Sequence, residues 1–303
     1  MGKTVNKLSK SYQLQYASAN LYDPSVLLQI SKSVTINRYA FNDPISSSAS
    51  CLNVLGSMVN NKDDLLKFLN ELGIPASDIY SFPFGADVSG RTYDDQGYVI
   101  FEWVGPKVSP INESGGDRGK NRTSIDAYII AKIEGKITQL LIEWKFTEGV
   151  SLELFSGKKG VERLRRYASV LAKMRSNGQF PFDFKEVGDI GLFDFSPDHL
   201  YQLMRITLLA KRTTPIVIGN LWVEDYRVVH LSHSMNNAIN ILHKKYLSHS
   251  PGLQKYAGFK FYEVWKDLLS NNEKSKFIGA HWDLALGVIQ DIKLRNYLQN
   301  RYS

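Results

Sequence analysis

The chain has little of several features that define other classes of protein. A single cysteine, Cys51, among 303 residues excludes an internal disulfide bond and a cysteine-rich zinc site. No run of about 18 apolar residues occurs, so the sequence predicts no transmembrane helix. Residues 1–20 lack the apolar core of a signal peptide, and Asn6 stands where myristoylation requires serine or threonine. We therefore expect a cytoplasmic protein that does not bind a membrane.

Motifs for nucleotides and for zinc are also missing. The stretch from Gly149 to Lys158 has the wrong spacing for a P-loop, and Lys159 stands where that motif requires serine or threonine. His230 and His233 have no cysteine beside them, so they are a weak zinc signal. We expect neither a nucleotide cofactor nor a zinc site.

The composition is that of a folded protein with a moderately basic surface. Hydrophobic residues make up 43% and aromatic residues 12% of the chain, which is enough for a substantial core. The net charge of +7 permits a polyanionic partner without indicating one.

Basic residues concentrate in one predicted helix, residues 158–175. Its apolar stripe is Val161, Leu164, Ala168, Leu171 and Met174. Lys158, Lys159, Arg163, Arg165, Arg166, Lys173 and Arg175 accompany a single acid, Glu162. This basic face is either an ordinary solvated surface or a contact for phosphates.

The remaining pattern predicts an α/β fold in a single domain, residues 1–303. A helical region, residues 1–79, contains a helix from Ser47 to Leu72, and residues 80–90 are predicted as loop. A core, residues 80–225, contains a strand near Tyr98–Val104 and a helix for which Ser196 is the predicted N-cap. Pro215–Val223 is predicted as a central strand buried on both faces. A C-terminal helical region, residues 226–303, has amphipathic helices predicted near 234–247, 259–270 and 284–299.

The most informative segment is Thr123–Glu148, which predicts two apolar strands joined by a turn at residues 134–136. Asp126 opens the first strand, and Glu143-Trp144-Lys145 ends the second. Because side chains alternate across a strand, Glu143 and Lys145 share one face and Trp144 points to the other. Two carboxylates and a lysine here suit metal-dependent phosphodiester hydrolysis. The alternative is an ion pair on a solvated face, with Asp126 as a cap.

The spacing Asp126…Glu143-x-Lys145 resembles the PD-(D/E)xK nuclease superfamily, although Ile125 replaces the proline of its name. Further segments line up in order with a poorly characterised bacterial, restriction-endonuclease-like branch. These segments are residues 45–53, Phe101-Glu102, 122–126, 141–148, 201–205 and 208–210. The resemblance spans roughly residues 45–223. It implies a restriction-endonuclease-like core, a mixed central sheet flanked by helices, with additional N- and C-terminal helices.

The resemblance also implies a chemistry for the hairpin. Asp126, Glu143 and the backbone carbonyl of Trp144 would bind Mg²⁺, with Mn²⁺ as a substitute. Lys145 would orient or deprotonate the attacking water and offset charge on the phosphate. Glu102 would be an outer metal ligand or position a water, unless it is a solvent-facing glutamate on an edge strand.

Further residues are expected to support the site or to bind nucleic acid. By resemblance, Gln202 and Arg205 face the site from one side of their helix, where Arg205 would hold a phosphate and Gln202 a metal-bound water. The alternative is a pair on the helix surface. The expected DNA contacts are Arg118, Lys120, Arg122, Lys158, Lys159, Arg163 and Arg166. The resemblance thus predicts a Mg²⁺-dependent endonuclease of the restriction, defence or repair type acting on DNA, with duplex DNA as the expected form. The alternative is a nucleic-acid-binding protein of the same fold without turnover. A homodimer through helices after about residue 234 is a hypothesis from position alone.

Overall fold

The structure is a computed structural model that describes residues 20–28, 43, 45–82, 97–114, 122–152, 157–183 and 190–302. Its helices are α1 (Ser47–Val54), α2 (Lys62–Glu71), α3 (Gly157–Ser176), α4 (Asp198–Arg212), α5 (Asn237–Asn240), α6 (Phe261–Leu268), α7 (Asn271–Lys274) and α8 (Ile292–Tyr302). Its strands are β1 (Ala76–Tyr80), β2 (Ile100–Trp103), β3 (Ile125–Ile133), β4 (Lys136–Lys145), β5 (Ile216–Ile218), β6 (Leu221–Val223), β7 (Asp225–Ser232) and β8 (Phe277–His281). Short 3₁₀ helices include Leu192–Phe195, Pro251–Tyr256 and Trp282–Val288.

A mixed six-stranded sheet forms the centre of the molecule. Its strand order is β1-β3-β4-β7-β8, and β2 pairs with the start of β3 on the same side as β1. The pairs that involve β3 are antiparallel, whereas β4–β7 and β7–β8 are parallel. Helices cover the sheet, so the prediction of an α/β fold with a mixed central sheet flanked by helices is confirmed.

The predicted hairpin is present as β3 and β4. Glu134 and Gly135 both have positive φ, 50° and 82°, which is the backbone of the tight turns that suit the twist of a hairpin. The two strands pair in unbroken register from Ile133↔Lys136 to Ala127↔Ile142. Local sequence therefore suffices to define this element.

The sheet separates two hydrophobic cores. On one face, residues of α3, α4 and α6 pack against alternate residues of β3, β4 and β7. On the other face, α1, α2 and α8 pack against the remaining strand residues, including Ile142 and Trp144. Burial on both faces explains why β4 is apolar along most of its length instead of alternating. Among the described residues, no helix has the length and apolar character needed to cross a bilayer.

Several predicted elements have different boundaries in the structure. The single helix predicted from Ser47 to Leu72 is two helices, α1 and α2, separated by a 3₁₀ turn at Gly56–Met58. The predicted central strand at residues 215–223 is wrong. It is a separate hairpin, β5–β6, in which Val217 is 52% and Trp222 57% exposed. Gly219, with φ 59°, allows the chain to turn there.

The outer regions are also less purely helical than predicted. Strands β7 and β8 lie within or across the segment 226–303, and β1 straddles the end of the segment 1–79. The helix predicted near 259–270 is present as α6, whereas residues 234–247 contain only the short α5 and a 3₁₀ turn. The last predicted helix is a 3₁₀ helix followed by α8. The central sheet thus extends into the region predicted as helical, although β7 and β8 lie outside the three segments for which helices were predicted.

The basic helix is confirmed as α3, but its buried face differs from the predicted stripe. Leu171 and Met174 are buried, whereas Val161 and Ala168 are exposed and Tyr167 takes the central buried position. The cap predicted for α4 is also wrong. Ser196 belongs to the preceding 3₁₀ turn, where its hydroxyl donates to the carbonyl of Phe193, and Pro197 is the N-cap of α4.

A pair of leucine substitutions tests this core. Leu140 of β4 is fully buried, and Leu140→Ala is expected to lower the free energy of unfolding by about 2–5 kcal/mol through lost burial and a residual cavity. Leu284, which is 68% exposed, provides the matched control, and Leu284→Ala should change the free energy of unfolding by less than about 0.5 kcal/mol. Urea denaturation measures both. Equal effects of the two substitutions would contradict the assigned positions.

Candidate active site

The predicted acidic residues fall on one row across the sheet. The β2–β3 register pairs Phe101 with Ala127 and Trp103 with Ile125, which sets Glu102 opposite Asp126. Continuing the β3–β4 register by one residue sets Asp126 opposite Glu143. Directly opposite residues on antiparallel strands have Cβ atoms about 4.5–5.5 Å apart. Pairing of the strands therefore brings together three acids that are distant in sequence.

These residues line a polar cleft of about 230 Å³. Its walls come from the end of β2, the beginning of β3, the end of β4, the beginning of α1 and the middle of α4. The lining includes Glu102, Asp126, Glu143, Lys145, Gln202 and Arg205. Both side chains predicted to face the site from α4 are therefore present in the cleft.

Glu143 and Lys145 form a buried ion pair on one face of β4. The Lys145 Nζ–Glu143 Oε1 distance is 2.8 Å, and the two side chains are 12% and 6% exposed. Trp144 points to the opposite face, where its indole N–H donates to Ser50 Oγ over 2.9 Å and its ring stacks on Trp282. The predicted division of faces is confirmed. The alternative of an ion pair on a solvated face is wrong because both charges are buried.

The surrounding acids keep Lys145 protonated. Burial by itself would lower the pKa of Lys145, but the negative charges of Glu143, Asp126 and Glu148 outweigh it and raise the pKa above its usual range. Glu148 also lines the cleft and accepts a hydrogen bond from the backbone N–H of Phe146, a location that the sequence pattern did not indicate. In this environment Lys145 acts as a cation and a hydrogen-bond donor.

Asp126 and Glu102 are held by contacts with the chain around them. Asp126 Oδ2 accepts a hydrogen bond of 2.8 Å from the backbone N–H of Trp144, which ties the beginning of β3 to the end of β4. Glu102 Oε2 accepts one of 2.6 Å from Ser124 Oγ. Glu102 also has φ 56°, in the left-handed region that strains any residue with a side chain. It is 7% exposed, so the alternative of a solvent-facing glutamate is wrong.

A buried acid that the sequence pattern missed, Glu113, organises the other side of the cleft. It accepts hydrogen bonds from the backbone N–H and the hydroxyl of Thr123, at 2.7 and 2.6 Å, and from the hydroxyl of Tyr167 at 2.9 Å. Arg205 forms an ion pair with it at 3.3 Å and donates to Thr123 Oγ1 at 3.0 Å. Glu113 sits in a loop without periodic pattern, so nothing local indicates that its partners come from α3 and α4.

This arrangement fixes the charge of Arg205. Burial by itself would lower the pKa of Arg205, whereas Tyr167 and the negative Glu113 raise it above its ordinary value. The aromatic ring of Tyr201 lies 5.2 Å from the guanidinium carbon and adds a cation–π contact. Arg205 is thus a permanently charged group at a defined position on the cleft wall.

The predicted DNA contacts divide into three groups. Arg118 and Lys120 lie outside the described residues. Arg122 is buried and donates to the carbonyls of Val104, Gly105 and Pro106, which gives it a structural role at the edge of the cleft. Its contact with DNA stays a prediction.

The third group lies on α3. Lys158 and Lys159 are exposed at its beginning. Arg163 is half-buried, and its guanidinium carbon lies 5.4 Å from the ring centre of Tyr201. Arg166 pairs with Glu162 at 2.9 Å. Only the two lysines are therefore fully exposed to a large ligand, and the DNA contacts of all four residues stay predictions.

The donor set suits a hard cation that keeps part of its water shell. Within the described ranges, no three His, Cys, Asp or Glu side chains are close enough to hold a metal ion together. Asp126 and Glu143 provide two carboxylates in the same cleft, and Mg²⁺ is commonly bound by one or two carboxylates plus water. Gln202 Oε1 is buried in the cleft wall without a hydrogen-bond partner among the described residues, which suits a metal-bound water. The residues present therefore fit Mg²⁺.

Comparison with known proteins agrees with this geometry. Residues 7–303 match a protein family described as Restriction Endonuclease associating with ARP. The chain belongs to this family. No curated protein and no solved structure shows significant similarity to the chain. Membership supports the resemblance to a restriction-endonuclease-like family and a nuclease-like role, while the PD-(D/E)xK type stays a prediction.

The backbone at Glu102 can be tested through stability. In an ordinary strand, glycine is less stable than alanine by about 0.5–1 kcal/mol. With φ 56° at Glu102, we expect the reverse, with Glu102→Gly more stable than Glu102→Ala by about 1 kcal/mol. Urea denaturation of both variants measures the difference, and Ile100→Gly and Ile100→Ala in the same strand are the control. The usual order at both positions would contradict the conformation of Glu102.

The role of Glu113 can be tested in the same way. Glu113→Gln leaves Arg205 buried without its counter-charge and is expected to lower the free energy of unfolding by about 3 kcal/mol. Glu162, 59% exposed in its pair with Arg166, is the control, and Glu162→Gln should cost less than about 1 kcal/mol. If the two substitutions cost the same, Glu113 is not the organising residue of this wall.

Proposed function

We propose that this protein is a Mg²⁺-dependent endonuclease of the PD-(D/E)xK type that hydrolyses phosphodiester bonds in DNA. The observation that carries the proposal is the polar cleft that Asp126, Glu143 and Lys145 line together, with Lys145 paired to Glu143. Family membership supports a nuclease-like role independently of this geometry.

The carboxylates of Asp126 and Glu143, with the backbone carbonyl of Trp144, would hold the ion. When bound, Mg²⁺ would polarise the phosphate and lower the pKa of a coordinated water. Glu102 and Gln202 would orient water in the cleft, because Glu102 is fixed by Ser124 and Gln202 Oε1 has an unfilled acceptor position.

Lys145 would act as a charged donor and not as a base. Its pKa is raised by three neighbouring acids, so it holds its proton at neutral pH and donates to the attacking water or to a phosphate oxygen. Arg205 would offset negative charge on the phosphate from the α4 side of the cleft, where Glu113 and Thr123 fix its direction. The ammonium group of Lys145 and the guanidinium group of Arg205 would therefore both face the phosphate.

A second candidate function is nucleic-acid binding without turnover. It is favoured by one observation, that within the described ranges no three potential metal-ligating side chains are close enough to hold a metal ion together. The retention of Asp126, Glu143 and Lys145 together favours the hydrolytic function, because the binding role alone requires none of them.

Cleavage of a supercoiled plasmid tests the proposal. In Mg²⁺ the native protein is expected to nick or linearise the plasmid, and EDTA should abolish cleavage. Asp126→Asn and Lys145→Gln should each reduce the rate at least about 100-fold, since each removes a charge that acts on the reacting group. Gel electrophoresis over a time course measures the rates.

Two substitutions in the same sheet are matched controls. Asp78→Asn in β1 and Lys132→Gln in β3 make the same chemical changes away from the cleft and should leave the rate unchanged. Full cleavage by Asp126→Asn would assign the activity to other residues. Binding of the plasmid without cleavage in Mg²⁺ and in Mn²⁺ would favour the second candidate.

A further inference from the structure

Residues 243–259 form a compact loop far along the chain from the cleft residues. Its ends are joined by two backbone hydrogen bonds, Leu242 N to Phe259 O at 3.0 Å and Gly258 N to Leu242 O at 2.7 Å. Leu247 and Leu253 are fully buried beneath it. Loops of this kind, closed at the base and packed by their own side chains, are frequently functional.

The charge of this loop is one-sided. Residues 226–262 contain no aspartate or glutamate, although the chain has 30 such residues in 303, about one in ten. Lys244, Lys245 and Lys255 are all exposed on the loop. Lys260, just beyond it, has Glu263 as a partner at 3.6 Å. The loop's own side chains therefore carry only positive charge, which suits a polyanion, while exposed Asp267 of α6 acts electrostatically on Tyr256.

Aromatic rings lie among these lysines. The ring of Tyr246 lies 4.6 Å from Lys245 Nζ, and that of Tyr256 lies 5.4 Å from Lys255 Nζ. Phe259 is 54% exposed and meets Tyr256 edge to face at 6.0 Å. Tyr246 and Tyr256 are half-buried, so Phe259 is the exposed ring of the group. An exposed ring near cations is what proteins use to stack bases while neutralising phosphates. An acidic protein surface would require the charges but would not account for the exposed phenylalanine.

The loop is also attached to the segment that leads into the cleft. Ser250 Oγ donates to the carbonyl of Asp194, and Gly252 N donates to Asp194 Oδ1, both at 2.8 Å. Asp194 belongs to the 3₁₀ helix Leu192–Phe195, which directly precedes α4 with Gln202 and Arg205. The loop is therefore held directly against the segment from which α4 begins.

We propose that the loop of residues 243–259 is a second nucleic-acid contact surface, outside the cleft. Lys244, Lys245 and Lys255 bind backbone phosphates, and Phe259 stacks on an unpaired base. The choice of DNA as the ligand rests on the proposed function, whereas the surface itself rests on the charge and the aromatic residues of the loop.

Binding by the full-length Asp126→Asn protein in EDTA tests the proposal without cleavage. Fluorescence anisotropy with a labelled duplex and a labelled single strand gives Kd at several salt concentrations. Combined substitution of Lys244, Lys245 and Lys255 by glutamine should weaken binding at least about tenfold and reduce the slope of log K against log salt by about 2 to 3. The control, glutamine at Lys67, Lys132 and Lys136, removes the same charge from other exposed positions and should change Kd less than about twofold.

The aromatic contribution has its own control. Phe259→Ser should weaken binding of the single strand at least about fivefold and leave duplex binding unchanged, because only unpaired bases offer a free face. Trp222→Ser, at an equally exposed ring on the β5–β6 hairpin, should change neither. Equal effects of Phe259→Ser and Trp222→Ser on binding would contradict the stacking role of Phe259.

The outcomes separate this surface from the proposed enzyme. Native affinity and salt slope in the triple-lysine loop variant would overturn the surface, as would a parent protein that binds neither DNA. Loop-dependent binding in a protein that fails to cleave plasmid would uphold the surface while the endonuclease proposal falls. Plasmid cleavage by a protein whose DNA binding does not depend on the loop would support the endonuclease proposal and overturn the loop surface.

Discussion

The burial of charge at the end of β4 is the constraint on which the rest of the site depends. Glu143 and Lys145 are almost completely removed from water, and burying an unpaired charge costs several kcal/mol. The pair is therefore stable only where each charge has compensation close by. The negative charges of Glu143, Asp126 and Glu148 together outweigh the effect of burial and raise the pKa of Lys145. The register of β3 with β4 creates this neighbourhood.

The part of the site carried by the hairpin could be predicted because its information is local. Alternation places Glu143 and Lys145 on one face of β4. The Glu134-Gly135 turn fixes the register of β3 with β4, and this register brings the beginning of β3, with Asp126, beside the end of β4. Glu113 could not be found in this way. Its partners Thr123, Tyr167 and Arg205 come from other elements, and its own loop has no period that would indicate burial.

The errors in the fold have a similar origin. Residues 215–223 are the more apolar run, whereas residues 225–232 include Asp225, Arg227 and His230, so apolar content alone favoured the wrong segment as the central strand. The structure buries β7 completely and leaves Trp222 of β6 exposed. Parallel pairing of β4 with β7 brings together residues some 87 positions apart, as in Glu143 with His230. No local pattern records such a pairing.

The two ion pairs of the cleft, Glu143 with Lys145 and Glu113 with Arg205, also bear on how the cleft would bind its proposed ligands, a divalent cation and a phosphate. In the structure Glu143 neutralises Lys145, and Glu113 neutralises Arg205, so both cations are paired within the protein. On the proposed function, Glu143 would hold the divalent cation, and Lys145, no longer bound to Glu143 alone, would donate to a phosphate oxygen. Glu113 is buried and tied by four hydrogen-bond donors, so Arg205 stays fixed while Lys145 is redirected. Cation and phosphate would then favour each other's binding, because each supplies the charge that the other displaces.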